Sequence, residues 1–403
     1  MVVGQFPALP ETSILNQITG LIDRGNDVDI FADDPSPTRQ LQPKVEAYRL
    51  RAHYMPVPPR SLLKLRLTGM TVLAASVLRD PTLPLRVWQN HNDITWTALC
   101  EARPLLHHGP YDVVHCQFGL YGQRYSGLHT IGVLKGRLVT SYRGYDLSRH
   151  LNEFGRDVYR RLFDAGDLFL PVCEFFKHRL IQLGCEEEKI VVLPSGIDCR
   201  IFPFIPRRVA SGERVRIVTV GRCVEKKGME YAIRAVTKLA QEVPRVEYYI
   251  VGDGPLRKSF EQLIGTLGAG EIIRVLGWKR QDEVVEILKT AHVMLAPSVT
   301  AADGNQEGIP NALKEGMAMG LPVVSTRHAG IPELVEDGVS GFLVPERDVD
   351  ALIAKLGLVI EHAERWPAMG RAGRDRVEQR YNAEPLNDRL VEIYRQPLKT
   401  RSR

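Results

Sequence analysis

The sequence predicts an α/β protein made of two doubly wound domains that face a cleft. Three observations predict this fold. The chain has 403 residues, more than one ordinary hydrophobic core accommodates. Short, continuous apolar runs alternate with helix-sized intervals, which is typical of buried parallel strands and the helices that cover them. The alternation stops at a proline- and arginine-rich interval, residues 199–214, and then starts again.

The first predicted domain covers residues 1–198. Only Met1, Val2 and Val3 precede the "GQFP" turn, so its first strand is expected to be short. Either the start of the chain is trimmed or that edge of the sheet is weak. The later predicted strands are "DVDIFA" (27–32), "YDVVHCQ" (111–117), "RLVTSY" (137–142), "DLFLPV" (167–172) and "KIVVLPSG" (189–196).

Residues 199–214 are the predicted linker, and the second domain is expected from residue 215 to 364. Its predicted strands are "VRIVTVG" (215–221), "VEYYIVGDG" (246–254), "EIIRVLGW" (271–278), "AHVMLAPS" (291–298), "LPVVST" (321–326) and "GFLV" (341–344). A polar helical tail with aromatic and leucine anchors follows. Open parallel sheets bind ligands outside the carboxyl ends of their strands, so functional residues are expected in the turns that follow these runs.

The composition predicts an ordinary globular protein of the cytoplasm. Hydrophobic residues make up 44% of the chain and charged residues 25%, which excludes a fibrous or wholly disordered protein. No run approaches the ~18 uncharged apolar residues of a membrane-spanning helix. The N-terminus has no basic lead-in and meets prolines at once, unlike a secretion signal. The six cysteines contain no C-x-x-C, which favours reduced thiols over disulfides or structural zinc.

Positive charge is concentrated in one segment of the first half. The net charge of +5 is mild and gives no reason to expect a nucleic-acid partner. From Arg39 to Arg103, however, ten Lys or Arg residues face four Asp or Glu residues, a local excess of six. This segment includes the apolar, basic stretch "RSLLKLRLTGMTVLAASVLR" (60–79). Two interpretations stay open: a surface-packed helix with solvated charges, or a face that rests on anionic lipid headgroups at the inner leaflet.

The turn "GRCVEKKG" (221–228) has the chemistry of a phosphate site. It follows a strand, places Arg222 at the strand end, and places Lys227 directly before Gly228 at a helix start. Two cations add their charge to the free N–H groups and dipole of the helix N-terminus. Lys226 is less favoured because it lies one position farther from the helix. A second glycine-rich strand end, "VGDGP" (251–255), does not fit G-x-G-x-x-G and so does not indicate a dinucleotide fold.

Two glutamates eight positions apart surround another helix start. Glu307 precedes a Gly-Ile-Pro turn and Glu315 lies inside the helix, which Gly320 and Pro322 are expected to end. N–H groups around 308–311 can bind a diphosphate. Each carboxylate can then accept from sugar hydroxyls on its own side of that diphosphate. A diphosphate between two polyols describes a nucleotide sugar.

These residues resemble a known family. The segment "EGIPNALKEGMAMGLPVVST", followed by "GIPELVEDGVSGFLV", resembles the retaining glycosyltransferases of family 4, which have the GT-B fold of two Rossmann-like domains. "VTAADGNQEGIP" and "FPALPETSILNQI" are similar to the bacterial exopolysaccharide branch that includes colanic acid biosynthesis. The resemblance covers essentially the whole chain and is densest from 215 to 345. It implies a nucleotide-sugar donor and a saccharide or polyprenyl-linked saccharide acceptor.

The resemblance also implies roles for single residues. Arg222, Lys227 and Glu307 would carry catalysis: the two cations would stabilise the leaving diphosphate, and Glu307 would contact the donor sugar. The tail from 365 to 403 would cross back to the first domain. The residues implied to hold the donor are Gly4, Arg143, Gly252, Val275, Leu276, Gly308, Ile309, Pro310, Asn311 and Glu315, with Val275 and Leu276 at the base and Glu315 at the ribose.

The chain departs from the family at one position of the first domain. Many relatives carry a His near the reacting sugar where this chain has Arg143, so that ring's role must be dropped, shared or replaced by a positive charge. His115, at the end of a predicted strand, and Asp146 are the candidate acceptor-side residues. Core packing explains His115 equally well.

The family likeness favours transfer with retention, by front-face departure and without a covalent nucleophile. Two D-x-D triplets, at 27–29 and 348–350, are interpreted as structural because one starts a strand and the other caps a helix. With Arg and Lys already at the phosphate, we expect no metal and no cofactor besides the donor. Two alternatives stay open: a nucleotide-sugar 2-epimerase, and a catalytically silent nucleotide-sugar-binding protein.

Overall fold

A computed structural model describes residues 1–7, 12–35, 43–78, 80–90 and 94–396. The chain forms two compact units. The first unit contains Met1–Val172, Phe176–Leu193 and the residues from Asn387 onward. The second contains Cys173–Phe175 and Pro194–Leu386. No helix in the described ranges is long and apolar enough to cross a membrane.

The first unit alternates strands with helices, as its sequence predicts. Several of its helices are short, and three of them lie between β3 and the sheet's next strand. In chain order its elements are β1 (Val2–Phe6), α1 (Thr12–Ile22), β2 (Ile30–Pro35), α2 (Pro43–Ala47), β3 (Ala52–Tyr54), α3 (Leu62–Val77), α4 (Leu83–Gln89), α5 (Trp96–Glu101), α6 (Arg103–His108), β4 (Val113–Cys116), α7 (Gly119–Thr130), β5 (Arg137–Tyr142), α8 (Arg149–Phe154), α9 (Arg160–Ala165), β6 (Leu168–Pro171) and α10 (Glu174–Gln182).

The first sheet is parallel and has the strand order β3-β2-β1-β4-β5-β6. β1 lies inside this sheet, where Val3 and Phe6 are buried against Ile14 and Ile18 of α1. The prediction of a short first strand is wrong, because β1 continues through Gly4 to Phe6. Gly4 is therefore a strand residue. A side chain there would meet the Tyr121 hydroxyl at 2.5 Å, which explains the glycine.

The prediction of a strand at residues 189–196 is also wrong. Ile190 forms one isolated bridge to Phe169, and Val191 and Leu193 donate backbone hydrogen bonds to Phe169 and Pro171. The segment thus follows the edge of β6 without completing a strand. Pro194 has no N–H to extend the ladder, which accounts for the early end.

The second unit repeats the alternation with longer helices. Its elements are β7 (Val215–Val220), α11 (Met229–Glu242), β8 (Val246–Val251), α12 (Arg257–Thr266), β9 (Ile273–Gly277), α13 (Gln281–Thr290), β10 (Val293–Ala296), α14 (Asn311–Ala318), β11 (Val323–Thr326), α15 (Ile331–Leu334), β12 (Gly341–Val344), α16 (Val349–Glu361), α17 (Trp366–Tyr381) and α18 (Ala383–Arg395). All six predicted strands of this half are present.

The second sheet is parallel, with the order β12-β11-β10-β7-β8-β9. Numbered from its own first strand, this is 3-2-1-4-5-6, the same order as the first sheet and the order of doubly wound dinucleotide folds. α11 covers the sheet because its apolar residues recur at helical spacing: Met229, Ala232, Ile233, Val236 and Leu239 are all buried. The carboxyl ends of β7 and β10 flank the point at which the strand order reverses.

The C-terminal tail divides between the units. α17 belongs to the second unit, where Arg374 donates to the carbonyls of Phe202 and Ala318 at 2.5 and 2.9 Å. Residues 387–396 belong to the first unit. The chain therefore passes from the second unit to the first within α18, later than residue 365, where the sequence predicts the crossing tail to begin. All six cysteines are buried, free thiols.

Candidate active site

The carboxyl edge of the second sheet brings two glycine-rich turns into contact. Gly221 follows β7 and Gly252 follows β8, with φ angles of 158° and 148°. A side chain on Gly252 would collide with the carbonyl oxygen of Gly221. Glycine is therefore required at 252 for the two turns to pack, a structural reason that holds whether or not Gly252 also touches a ligand.

Lys226 and Lys227 are presented by the turn that links β7 to α11. They lie in a short 3-10 turn, Glu225–Lys227, and Gly228 follows in the left-handed conformation at φ 64°. A side chain at Gly228 would collide with the Pro297 carbonyl, and Val299 donates its N–H to the Lys226 carbonyl at 3.0 Å. The lysine turn is thus fastened to the segment after β10.

Glu307 lies between both lysines. Its Oε1 is 3.1 Å from Lys226 Nζ and 3.2 Å from Lys227 Nζ, and its side chain is only 12% exposed. Burial raises the pKa of this carboxyl, but the two lysines outweigh burial and hold it down at about 2. Lys227 and the 307 turn therefore meet as the sequence predicts. Lys226 contacts the same carboxylate, because both lysines lie in one 3-10 turn. Its Nζ also donates to Asn305 Oδ1 at 3.4 Å, and the lower rank of Lys226 as a phosphate ligand stays a prediction.

Arg222 is an exposed cation at the end of β7. Within the described residues its guanidinium has no hydrogen bond or ion pair, to Glu307 or to any other group. It follows the same strand as the lysine turn, five residues before Lys227. A cation without a protein partner is available to an anionic ligand.

A helix, α14, begins shortly after Glu307. α14 begins at Asn311, after Pro310, and has no side-chain cap. The first N–H groups of a helix have no intrahelical acceptor, so an anion there is stabilised. Gly308 accepts from the Gly330 N–H at 3.2 Å, and Ile309 is buried. Gly308, Ile309 and Pro310 thus lead into α14, which Asn311 starts, as the sequence predicts, and donor binding by these four residues stays a prediction.

Glu315 lies one helical turn after Asn311. Burial raises the pKa of its carboxyl to about 7, although Lys314 and Lys227 act in the opposite direction. Lys314 is committed elsewhere: its Nζ donates to the Ser195 carbonyl at 2.7 Å and to Asn311 Oδ1 at 3.1 Å. No hydrogen bond or ion pair reaches the Glu315 carboxylate from the part of the chain that the structure describes. Such a carboxylate is ready to accept from a ligand.

A buried histidine supports the Glu307 backbone, and sequence analysis missed it. The Glu307 N–H donates to His328 Nε2 at 3.0 Å, and His328 Nδ1 contacts Glu346 Oε1 at 2.6 Å. His328 is fully buried, and this burial lowers its pKa. Because Nε2 accepts, the neutral ring must carry its proton on Nδ1 and donate to Glu346. Glu346 also accepts from the Thr300 N–H at 2.7 Å, which fixes its position.

Val275 and Leu276 are partly buried residues of β9. Val275 pairs with Ile250, but Val251 pairs with Gly277, so Leu276 occupies a bulge. A bulge re-aims a side chain at a sheet end and commonly occurs beside ligand sites. Both residues lie at the carboxyl end of their strand, as the predicted base pocket requires.

In the first unit, Arg143 and Asp146 form part of a buried polar network. The Arg143 guanidinium donates to Ser13 Oγ, Gln17 Oε1 and Gln117 Oε1 at 3.2, 3.1 and 2.5 Å. The Asp146 carboxylate accepts from the N–H groups of Arg143 and Gly144 at 3.0 Å each and of Gly119 at 3.2 Å. We therefore assign Asp146 a structural role, because these three bonds hold the turn after β5 to the start of α7.

His115 is likewise occupied by internal partners. Its Nδ1 is 2.6 Å from the Tyr394 hydroxyl and its Nε2 is 2.7 Å from Ser141 Oγ. The ring is 1% exposed, and burial lowers its pKa well below the ordinary value. Both nitrogens are used, so of the two roles considered for His115 the structure favours core packing over ligand contact.

The D-x-D triplets have the structural positions expected of them. Asp348 caps α16 by accepting from the Ala351 N–H at 2.9 Å. Asp29 directly precedes β2 and accepts from the Tyr111 hydroxyl at 2.6 Å. The charged groups that pair at the 307 turn of the second unit are Glu307, Lys226 and Lys227, not these aspartates.

Family profiles and curated relatives agree on the class of protein. Residues 10–200 match the profile "Glycosyltransferase Family 4", and residues 214–362 match "Glycosyl transferases group 1". The putative colanic acid biosynthesis glycosyltransferase WcaL of Salmonella typhimurium is 36% identical over 398 residues, which cover 96% of this chain and 97% of that protein. The amylovoran biosynthesis glycosyltransferase AmsK of Erwinia amylovora is 36% identical over 395 residues, with the same two coverages.

Solved structures share the fold at low sequence identity. HepE of Anabaena, crystallised with UDP and glucose, has a TM-score of 0.71 at 17% identity and covers 97% of this chain and 98% of its own. Sucrose-phosphate synthase of Thermosynechococcus elongatus has a TM-score of 0.73 at 17% identity, with coverages of 98% and 95%. With relatives at 36% identity along nearly its whole length, the chain belongs to glycosyltransferase family 4 and has the GT-B fold.

Proposed function

We propose that this glycosyltransferase moves one sugar from a nucleotide-diphosphate sugar to a growing exopolysaccharide or lipid-linked saccharide, with retention at the anomeric carbon. One observation carries the proposal. Glu307 lies between Lys226 and Lys227 at a helix start, 3.1 and 3.2 Å from their ammonium groups. An acid for sugar hydroxyls thus adjoins cations and backbone donors for a diphosphate.

In this proposal the lysines change partners when the donor binds. Their ammonium groups contact the diphosphate together with Arg222 and the N–H groups at the start of α14. Positive charge already in place favours the transition state, because charge accumulates on the diphosphate as the bond to the sugar breaks. Glu307, held by His328, then accepts from hydroxyls of the sugar, and Glu315 from those of the ribose.

Front-face departure fits this set of residues. The side chains paired with Glu307 are the cations Lys226 and Lys227, which do not accept a proton, so in this proposal the leaving phosphate oxygen takes the acceptor's proton. The same cations replace a divalent ion, and we propose a metal-independent reaction. Full activity in excess EDTA is the expected result, and loss of activity in EDTA that Mg²⁺ restores would contradict it.

The relatives suggest the acceptor class. Two proteins at 36% identity are named for colanic acid and amylovoran biosynthesis, so we place this enzyme in exopolysaccharide assembly. HepE was crystallised with UDP-glucose, which supports a nucleotide sugar as donor and leaves UDP- and GDP-sugars as the first candidates. A polyprenyl-linked acceptor lies in a bilayer, so the proposal includes peripheral contact with an anionic membrane.

Donor screening followed by turnover tests the proposal. Thermal-shift measurements against UDP-, GDP- and ADP-sugars should give one stabilising donor, which identifies base and sugar together. That donor should then release nucleoside diphosphate slowly in water. Glu307→Ala should abolish release, while Val339→Ala, an exposed site of the same unit, should not. Formation of an epimeric nucleotide sugar, or unchanged release by Glu307→Ala, would refute the assignment.

A further inference from the structure

An exposed apolar stripe runs along α3 of the first unit. Leu63, Leu67, Met70 and Leu78 are 69, 54, 56 and 88% exposed. Leu63, Leu67 and Met70 are spaced four and three residues apart, so they share one face of the helix, and Leu78 extends it at the C-terminal end. The opposite face is the one that packs: Gly69 lies against Trp96 of α5, and Val72 is 9% exposed.

Neighbouring elements expose further large apolar side chains. Leu62 precedes the stripe at 71% exposure, and Val57 is 87% exposed. α4 exposes Leu85 and Trp88, at 59 and 74%, and these two residues share a face at i and i+3. Monomeric proteins rarely leave this many large apolar side chains exposed in one segment, and such patches mark interaction sites.

Basic side chains border the stripe. At about 100° per residue, Lys64 and Arg66 lie on opposite sides of the line through Leu63 and Leu67. Both are exposed, as is Arg60 just before the helix. Asp80, the acid between residues 57 and 90, is paired with Arg86 at 2.5 Å. The surface is therefore apolar along its centre and positive at its margins.

We propose that this surface, formed by α3 and α4, docks on a bilayer of anionic phospholipid. Leucine, methionine and tryptophan enter the headgroup boundary, and lysine and arginine contact the lipid phosphates, the arrangement of interfacial helices. A second copy of the same chain fits less well, because a symmetric contact would bring two positively charged surfaces together. The inference rests on the proposed function for the lipid-linked acceptor, which such docking would bring within reach.

Vesicle flotation of the full chain tests the inference without donor or acceptor. The unaltered protein should float with vesicles of phosphatidylglycerol and remain behind with phosphatidylcholine. Leu67→Glu with Met70→Glu should reduce vesicle binding at least tenfold. Lys64→Gln with Arg66→Gln should reduce it about 25-fold, at roughly fivefold for each basic side chain.

A matched variant controls for added charge. Thr266→Glu with Val339→Glu adds the same two negative charges at exposed sites of the second unit and should bind vesicles like the unaltered protein. Donor hydrolysis should be equal in all variants, since none touches the donor turns. Equal flotation of the Leu67→Glu, Met70→Glu protein and the unaltered protein would overturn the inference. So would light scattering that shows a dimer dissolved by those substitutions. Failure of donor turnover alone would refute the proposed function and leave the vesicle result standing.

Discussion

Glu315 gives the sharpest prediction. Among the described residues of the proposed donor site, its carboxyl has a pKa near neutrality. Burial raises that pKa to about 7, whereas the lysines hold the pKa of Glu307 at about 2 and burial lowers the pKa of His328. Ribose hydroxyls donate to the ionised form. Donor binding should therefore require deprotonation of Glu315, and the affinity should fall as the pH drops below 7.

The magnitude follows from the titration. With a pKa of about 7, roughly ten-elevenths of the carboxyl is ionised at pH 8 and roughly one-eleventh at pH 6. The dissociation constant of the donor should therefore rise about tenfold between these two pH values. Glu315→Gln removes the titration. The variant should bind the donor more weakly than the unaltered protein at pH 8, and its dissociation constant should stay nearly constant from pH 6 to 8.

Isothermal titration calorimetry with an intact nucleotide sugar is the assay. Each phosphate of such a donor carries one ester bond and shares the anhydride bond, so it has no weakly acidic oxygen and the ligand itself does not titrate in this range. At pH 6.5, in two buffers of different ionisation enthalpy, the unaltered protein should release a proton on binding and Glu315→Gln should not.

The pKa of Glu315 also predicts a change in the free energy of unfolding. The ionised carboxylate destabilises the fold increasingly as pH rises from about 4.5 to about 7, so the variant should gain roughly 3 kcal/mol at pH 8 and nothing at pH 4. A pH-independent affinity in the unaltered protein would refute the reasoning.

Substitutions at three further positions have distinct expected results. Glu307→Gln should abolish transfer and also lower the free energy of unfolding by roughly 3 kcal/mol at pH 7, because its pKa falls from 4.5 to about 2 in the fold. That loss should shrink as pH drops from about 4.5 towards 2 in chemical denaturation; a constant difference would contradict the lysine pairing. His328→Ala should reduce kcat roughly tenfold, and His328→Gln should restore most of it, because an amide oxygen can accept from the Glu307 N–H. Equal loss in both variants would show a merely structural role. Arg222→Gln should leave the melting temperature unchanged and weaken donor binding about tenfold, as calorimetry can show. Unchanged affinity would remove Arg222 from the phosphate site.

The fold could be predicted because buried parallel strands leave a clear pattern of short apolar runs. All six strands of the second unit follow that pattern. The pattern predicted strands wrongly where local contacts decide whether a segment pairs with the sheet. Residues 189–196 are apolar enough for a strand but follow β6 with only intermittent bonds. β3 is three residues long and half-exposed, so its sequence, Ala52–Tyr54, gives no apolar run to detect.

The donor turns could be predicted in part for a similar reason. Cations, glycines and acids at strand ends are visible in the sequence, and Lys227 does meet Glu307. The contact of Lys226 with the same carboxylate depends on the shape of one 3-10 turn, which spacing does not specify. His328 reaches the Glu307 backbone from a later loop, and Glu346 reaches His328 from another. Nothing in the "STRHAG" segment shows which backbone group the ring will contact.

The collisions that forbid side chains at Gly228 and Gly252 also bear on attempts to change the sugar or base that the enzyme accepts. Both positions touch the main chain of a neighbouring loop, so libraries that randomise them should yield mostly unfolded protein. Leu276 is different, since the bulge frees it from strict pairing with β8. Diversity introduced at Leu276 should alter selectivity while the scaffold survives.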